Sequence, residues 1–172
     1  MDALKLADKI ILTLLRAVTI TSFFLLTILI SANVFVRFVP VVSLHWFDEI
    51  IEMLYAYMVF YGAAALWIGR EHFSVGDWIG KRLIKGVRTR HLYRMILEML
   101  VFIFVIIFFY YSLRLTMLAQ DVTNVFAIPK KVLYSCLPVS GAIMLAYSIR
   151  NIACEIIGVI NAQEKTISPK TR

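Results

Sequence analysis

Charged residues divide the sequence into four long apolar runs. The first run, residues 17–36, holds 20 uncharged residues between two arginines, and the others cover residues 53–69, 99–113 and 132–149. A helix rises about 1.5 Å per residue, so about 20 apolar residues cross the hydrocarbon core of a bilayer. Extending each run past its flanking charges predicts spanning helices over residues 14–37, 46–69, 93–118 and 131–154.

Composition agrees with this pattern. The chain is 61% hydrophobic and 17% charged, with a mean hydropathy of +0.83, which excludes a soluble globular domain. We therefore predict an all-α integral membrane fold, with one four-helix domain over residues 1–160 and a polar, disordered tail over residues 161–172. The first span follows basic residues, as a signal peptide would, but its uncharged run exceeds a usual signal core and is expected to be a permanent helix.

Basic residues predict the orientation of the chain. Four spans place both termini and the loop between the second and third spans on one side of the membrane. Fourteen of the 18 Lys and Arg residues fall on that side. The positive-inside rule then predicts that both termini are cytoplasmic, in a bacterial inner membrane. The net charge of +7 reflects this orientation and an attraction to anionic headgroups, and no motif supports nucleic-acid binding.

The loop between the second and third spans is too apolar for a simple linker. Over residues 73–90, apolar and basic positions separate onto two sides of a helix, which predicts a short amphipathic helix in the cytoplasmic interface. Three glycines oppose a helix, so a basic loop that only follows the topology is the alternative. The side chains expected at lipid headgroups are Trp78, Lys81, Arg82, Lys85, Arg88 and Arg90.

Candidate chemistry inside the membrane is sparse. The three histidines lie at the edges of spans, which disfavours a haem bound between helices. No Cys/His spacing, glycine-rich phosphate loop or nucleophile elbow is present. We therefore expect no catalytic, metal, cofactor or substrate site and no enzyme activity. Cys136 and Cys154 are too far apart along one helix to form a disulfide, and Pro138 is expected to kink the fourth span.

An acidic cluster stands out where the second span begins. Asp48 and Glu52 are one turn apart, with Glu49 beside them, and Arg37 and Arg114 are expected at the same membrane surface. One interpretation is an ion-paired network that joins the first three spans. Another is a docking site for a second subunit or an external protein, to which Trp46 would also belong. An ion path is the third, and it is disfavoured because no acid of this cluster lies near a helix centre.

The order of several short motifs resembles a known family. Arg37-Phe38, Trp46-x-Asp48-Glu49, Gly62-Ala63-Ala64 and Arg70-Glu71-His72 are similar to the small, Q-type (DctQ-like) membrane subunit of tripartite ATP-independent periplasmic (TRAP) transporters. The resemblance covers about residues 16–155. Members usually carry a basic pair just before the last triplet, whereas this chain has Ile68 and Gly69 there. The family-motif residues carried over are Gly62, Arg70 and His72.

This resemblance implies a non-catalytic role. In such transporters a periplasmic binding protein delivers an organic acid, such as a dicarboxylate or a sialic acid, to a large M subunit that holds the substrate and sodium sites. The small subunit would brace the M subunit and help to dock the binding protein. The alternative is a self-sufficient, homo-oligomeric four-helix transporter or channel. It is disfavoured because the sequence has no visible internal repeat and no ionisable group at the centre of a span.

Overall fold

The structure is a computed structural model that describes residues 2–38, 46–69 and 87–167. Throughout these ranges every regular element is a helix. Four stretches are long and apolar enough to cross a membrane, which confirms the predicted four-span fold: Leu6–Phe38, Trp46–Ile68, Leu92–Leu118 and Lys130–Ile157. The helices are α1 (Asp2–Phe38), α2 (Trp46–Ile68), α3 (Val87–Leu118), α4 (Lys130–Tyr134) and α5 (Cys136–Ile167).

The helices lie side by side in a row. α1 packs against α2, α2 against α5, and α5 against α3. Between described residues, α1 makes no close backbone approach to α3 or α5, and α2 makes none to α3. The order across the domain is therefore α1, α2, α5, α3, with α1 and α3 at the flanks. We call the end that holds the α3–α4 loop the outer end and the opposite one the inner end, following the orientation that the basic residues predict.

A small apolar core runs along this row. It consists of Leu15 from α1, Ala64 and Ala65 from α2, Met144 from α5 and Val105 from α3. Each of these side chains is less than a tenth exposed. The core thus joins α1, α2, α3 and α5 in one apolar cluster.

Two glycines lie where neighbouring helices approach closely. A Cβ atom added to Gly62 in α2 would be 3.2 Å from Thr19 Cγ2 in α1. One added to Gly141 in α5 would be 3.3 Å from Phe109 and 3.4 Å from Phe108, both in α3. Small residues let helix backbones pack closely in membranes, where apolar burial alone does not drive association.

Pro138 explains why the fourth span consists of two helices. Proline has no N–H, so it cannot donate to the carbonyl of Tyr134 four residues earlier, and its ring crowds that carbonyl. The helix breaks at Ser135, between α4 and α5, which confirms the expected disturbance at Pro138. The Thr116 hydroxyl in α3 lies 3.2 Å from the Tyr134 oxygen that Pro138 leaves without a helical donor, and 2.8 Å from the Ser112 oxygen of its own helix, so its one proton is shared between the two acceptors.

A tyrosine from α2 binds the same break. The Tyr57 hydroxyl donates to the Val132 carbonyl at 3.0 Å and lies 3.1 Å from Ser135 Oγ. Ser135 also donates through its hydroxyl to the Val132 oxygen, at 2.7 Å. Backbone groups inside a membrane need hydrogen-bond partners, and neighbouring helices can supply them where proline interrupts a span. Hydroxyls from α2 and α3 therefore hold the α4–α5 junction from both sides.

The helices extend beyond the predicted spans. α1 begins at Asp2, and α5 continues to Ile167, so the expected disordered tail is helical over residues 161–167. The last residues of the proposed interfacial segment belong to the first turn of α3, which starts at Val87. Residues 73–86, where most of that segment falls, lie outside the described ranges.

Candidate functional site

The candidate docking site is built on the first turn of α2, at the outer end. Asp48 and Glu49 both belong to that turn. Acidic side chains are favourable there because the unpaired N–H groups give a helix N-terminus a partial positive charge. This local effect gives one physical reason for carboxylates at the edge of a membrane span.

Glu49 binds the backbone of the outer loop, residues 119–129. One carboxylate oxygen accepts the N–H of Val125 at 2.7 Å, and the other accepts the N–H of Phe126 at 3.2 Å. Hydrogen bonds to an ionised acceptor are stronger than those between neutral groups. Glu49 therefore joins the start of α2 to the connection between α3 and α4.

The outer loop has a defined hairpin-like conformation. Lys130 donates its N–H to the Asp121 oxygen at 2.9 Å, and Thr123 donates to the Ile128 oxygen at 2.9 Å. The Thr123 hydroxyl accepts the Ile128 N–H at 3.1 Å. Ala127 has a φ of 51°, a left-handed conformation that is uncommon for a residue with a Cβ atom. These bonds orient the N–H groups of Val125 and Phe126, at the tip of the loop, toward Glu49.

The tip of the outer loop presents apolar side chains. Val122, Val125 and Phe126 are each about half exposed. The Phe126 ring meets the Trp46 ring edge to face, with centroids 6.3 Å apart. Trp46, predicted as part of the docking site, thus lies beside the loop tip, and the two elements form one outer surface.

The structure does not pair the acidic cluster with the two arginines. In the described part of the chain, Arg37 and Arg114 are exposed and form no ion pair with Asp48, Glu49 or Glu52. The reason is helix placement: the backbone of α3, which carries Arg114, does not approach that of α2, and Arg37 lies one turn beyond Asn33. The nearest contact between α1 and the cluster is from Asn33 Nδ2 to Asp48 Oδ1, at 3.5 Å.

The other predicted residues fall in different places. Gly62 lies at the α1–α2 contact, and Glu52 is exposed one turn below Asp48. Arg88 and Arg90 belong to the first helical turn of α3, and their side chains lie outside the described part of the structure. The positions outside the described residues altogether are Arg70, His72, Trp78, Lys81, Arg82 and Lys85.

A polar cluster at the inner end was not predicted from the sequence. Asp8 in α1 accepts a hydrogen bond of 2.6 Å from the Tyr147 hydroxyl and forms an ion pair with Arg150, both in α5. The Arg150 guanidinium also lies over the Tyr147 ring, 4.4 Å from its centroid. This inner polar cluster connects two helices whose backbones do not approach. The sequence carried a signal for it, because Asp8 and Arg150 are opposite charges at the inner ends of two spans.

Buried polar side chains near the inner end of α3 and α5 were missed as well. Glu98 is 5% exposed, Asn151 1% and Glu155 6%. Gly141 of α5 faces Phe109 of α3. The two helices run in opposite directions, so Glu98, 11 residues before Phe109, lies at about the same depth as Asn151 and Glu155, which are 10 and 14 residues after Gly141. Trp67 of α2 adds a hydrogen bond of 2.9 Å from its indole N–H to Ser148 Oγ. Such groups hold helices together in a bilayer.

Within the described ranges, no group of three His, Cys, Asp or Glu side chains could hold a metal ion. Cys136 is buried and Cys154 is exposed, and both are free thiols. The described side chains thus form contacts between helices and an outer surface, and these contacts can position elements and bind a partner.

Comparison with known proteins agrees with the architecture. A family model described as "Tripartite ATP-independent periplasmic transporters, DctQ component" matches residues 26–158. No curated protein matches the sequence. The family match covers most of the chain, including the first turn of α2, the outer loop and the α4–α5 junction. The chain therefore belongs to the DctQ family, the small membrane component of TRAP transporters.

Proposed function

We propose that this chain is a non-catalytic scaffold subunit of a sodium-coupled TRAP transporter for organic acids, of the dicarboxylate or sialic acid type. It would brace the large M subunit and help to dock the periplasmic binding protein. Membership of the DctQ family implies both partners. The exposed surface of the helices supports the role of a brace.

The observation that carries this proposal is how little of the chain is buried within itself. Only 11% of the residues in the apolar windows of α1 and α2 are buried, against 39% in the window of the fourth span. Large side chains such as Phe24 in α1 and Phe104 in α3 are more than half exposed. Lipid can cover such faces, and so can the helices of a larger membrane subunit.

The outer surface supports the docking part of the proposal. Glu49 fixes the outer loop, so that exposed Val125 and Phe126 keep a constant position beside Trp46. Apolar and aromatic side chains on a rigid support are suitable contacts for a protein partner. The basic segment over residues 73–90 would bind anionic headgroups at the opposite membrane surface.

Site-specific photo-crosslinking tests the brace directly. A photoreactive phenylalanine analogue replaces Phe24 on the α1 flank or Phe104 on the α3 flank, in cells that also produce the M subunit. We expect one flank to crosslink to the M subunit and the other to lipid. Val125, substituted in the same way, should crosslink to the binding protein when that protein carries substrate.

A transport assay separates this proposal from the self-sufficient transporter. Liposomes that contain only this chain should show no uptake of an organic acid, and liposomes that also contain the M subunit and binding protein should show uptake driven by a sodium gradient. Uptake by the chain alone, together with no crosslink from either flank to the M subunit, would overturn the scaffold proposal.

A further inference from the structure

A groove between α1 and α2 has the features of a lipid site that is separate from the proposed interfacial segment. It opens on the outside of the domain, in the inner half of the membrane. Its surface is almost entirely apolar, with one basic residue at its inner end. The lining residues are Arg16, Thr19, Ile20, Gly62, Ala65 and Leu66.

Gly62 forms the floor of the groove, where α1 and α2 meet. Because it has no side chain, α1 and α2 approach closely there, and an added Cβ would already be 3.2 Å from Thr19 Cγ2. Ile20, 66% exposed, and Leu66, 49% exposed, form the two walls. The result is an open apolar groove about one helical turn long between two exposed side chains, a surface that can contact part of a hydrocarbon chain.

The position of Arg16 along α1 places it at the headgroup level. The uncharged run that follows it, residues 17–36, has 20 residues and spans about 30 Å, the thickness of the hydrocarbon core. Arg16 therefore lies at the inner boundary of that core, where phospholipid phosphates begin. The groove starts at this level and continues among the acyl chains.

The charge at this level fits a phosphate. A guanidinium binds phosphate through two parallel hydrogen bonds, and its five N–H donors allow it to keep a contact within the chain as well. Lys9 lies two turns further toward the cytoplasm, on the same side of α1. It borders a second apolar depression along α1, with Thr13 between the two basic residues.

We propose that this groove binds one anionic phospholipid from the inner leaflet. The phosphate contacts Arg16, one acyl chain lies over Gly62 between Ile20 and Leu66, and Lys9 attracts the negative headgroup. This inference does not depend on the scaffold proposal, because the site is formed by this chain alone.

The test is lipid titration of the delipidated full chain in mild detergent, with bound lipids counted by native mass spectrometry. Phosphatidylglycerol and phosphatidylcholine with identical acyl chains are the probes. One basic residue near an anionic headgroup contributes about 1 kcal/mol, so we expect the first phosphatidylglycerol to bind about fivefold more tightly than phosphatidylcholine. Arg16→Gln should abolish this preference, and Lys131→Gln, an exposed charge at the outer end, should retain it.

A second pair of variants tests the acyl-chain part of the site. Leu66→Trp should fill the groove from its exposed wall and weaken binding of both lipids, whereas Ile149→Trp, at a similarly exposed position on α5, should not. Circular dichroism of each variant checks that the helices are retained. Equal affinity of the parent chain for the two lipids, or an unchanged preference in a folded Arg16→Gln variant, would refute the site.

Discussion

The hydroxyl of Thr116 in α3 lies 3.2 Å from the backbone oxygen of Tyr134, which has no helical donor because residue 138 is proline. The same hydroxyl lies 2.8 Å from the Ser112 oxygen, so a side chain of one helix shares its proton between its own backbone and that of another. The break between α4 and α5 is therefore a point where α3 contacts the fourth span, as well as an interruption of that span.

The contact predicts energetic coupling between Thr116 and Pro138. Thr116→Val removes this shared donor and should lower stability by about 0.6 kcal/mol, the average for interhelical hydrogen bonds in membranes. In a Pro138→Ala background, residue 138 supplies its own N–H, so the same change should cost less. Thermal unfolding of the two single variants and the double variant measures this coupling. Additive effects would show that the Thr116 hydroxyl does not serve the proline break.

Loss of the Glu49 carboxylate should release the outer loop. Glu49→Ala removes the acceptor for the N–H groups of Val125 and Phe126, so the tip of the loop loses both of its hydrogen bonds to α2. Hydrogen exchange should become faster over residues 123–128. The matched control is Glu52→Ala, one turn away on the same helix, where the side chain is exposed and makes no hydrogen bond within the described ranges. Equal exchange in the two variants would contradict a role for Glu49 in holding the loop.

The inner polar cluster should stabilise the packing of α1 against the rest of the domain. Tyr147→Phe keeps the ring beside Arg150 but removes the 2.6 Å hydrogen bond to Asp8, and should cost about 1 kcal/mol. Tyr111→Phe is the control, because the Tyr111 side chain is 60% exposed. The thermal midpoint of the full chain in detergent is the measurement. A loss of the same size in both variants would count against the cluster.

The α3–α5 contact should not tolerate a larger residue at Gly141. Gly141→Val places methyl groups against Phe108 and Phe109, whose ring atoms already lie within 3.4 Å of where a Cβ atom would stand, and should cost about 1–3 kcal/mol through overpacking. Ala142→Val, at an exposed neighbouring position, should change stability little. Unchanged stability of Gly141→Val would mean that the two helices separate more easily than their packing indicates.

The spans could be predicted because length and hydropathy decide them locally. Runs such as residues 17–36 need no knowledge of neighbouring helices, and the effect of Pro138 follows from its missing N–H. The partners of Glu49 could not be predicted, because backbone N–H groups of a loop carry no sequence signal. Charge alone favoured the two arginines as partners, but charge does not reveal that the backbones of α2 and α3 do not approach each other.

The inner polar cluster was missed for a related reason. Asp8 lies outside the apolar run that defined the first span, so the predicted span began only after it. α1 in fact begins at Asp2, and the added turns bring Asp8 within reach of Tyr147 and Arg150. Matching opposite charges at equal depth on different spans would have identified this pair.

The helix order α1, α2, α5, α3 has a geometric consequence for how a solute could cross the membrane. In the described part of the chain, the backbones of the two end helices, α1 and α3, do not approach each other, so the backbone contacts do not form a closed ring. A solute path enclosed on all sides would then need walls from another subunit or from further copies of this chain. The row of helices therefore has two faces, and each face can contact a different neighbour in the membrane.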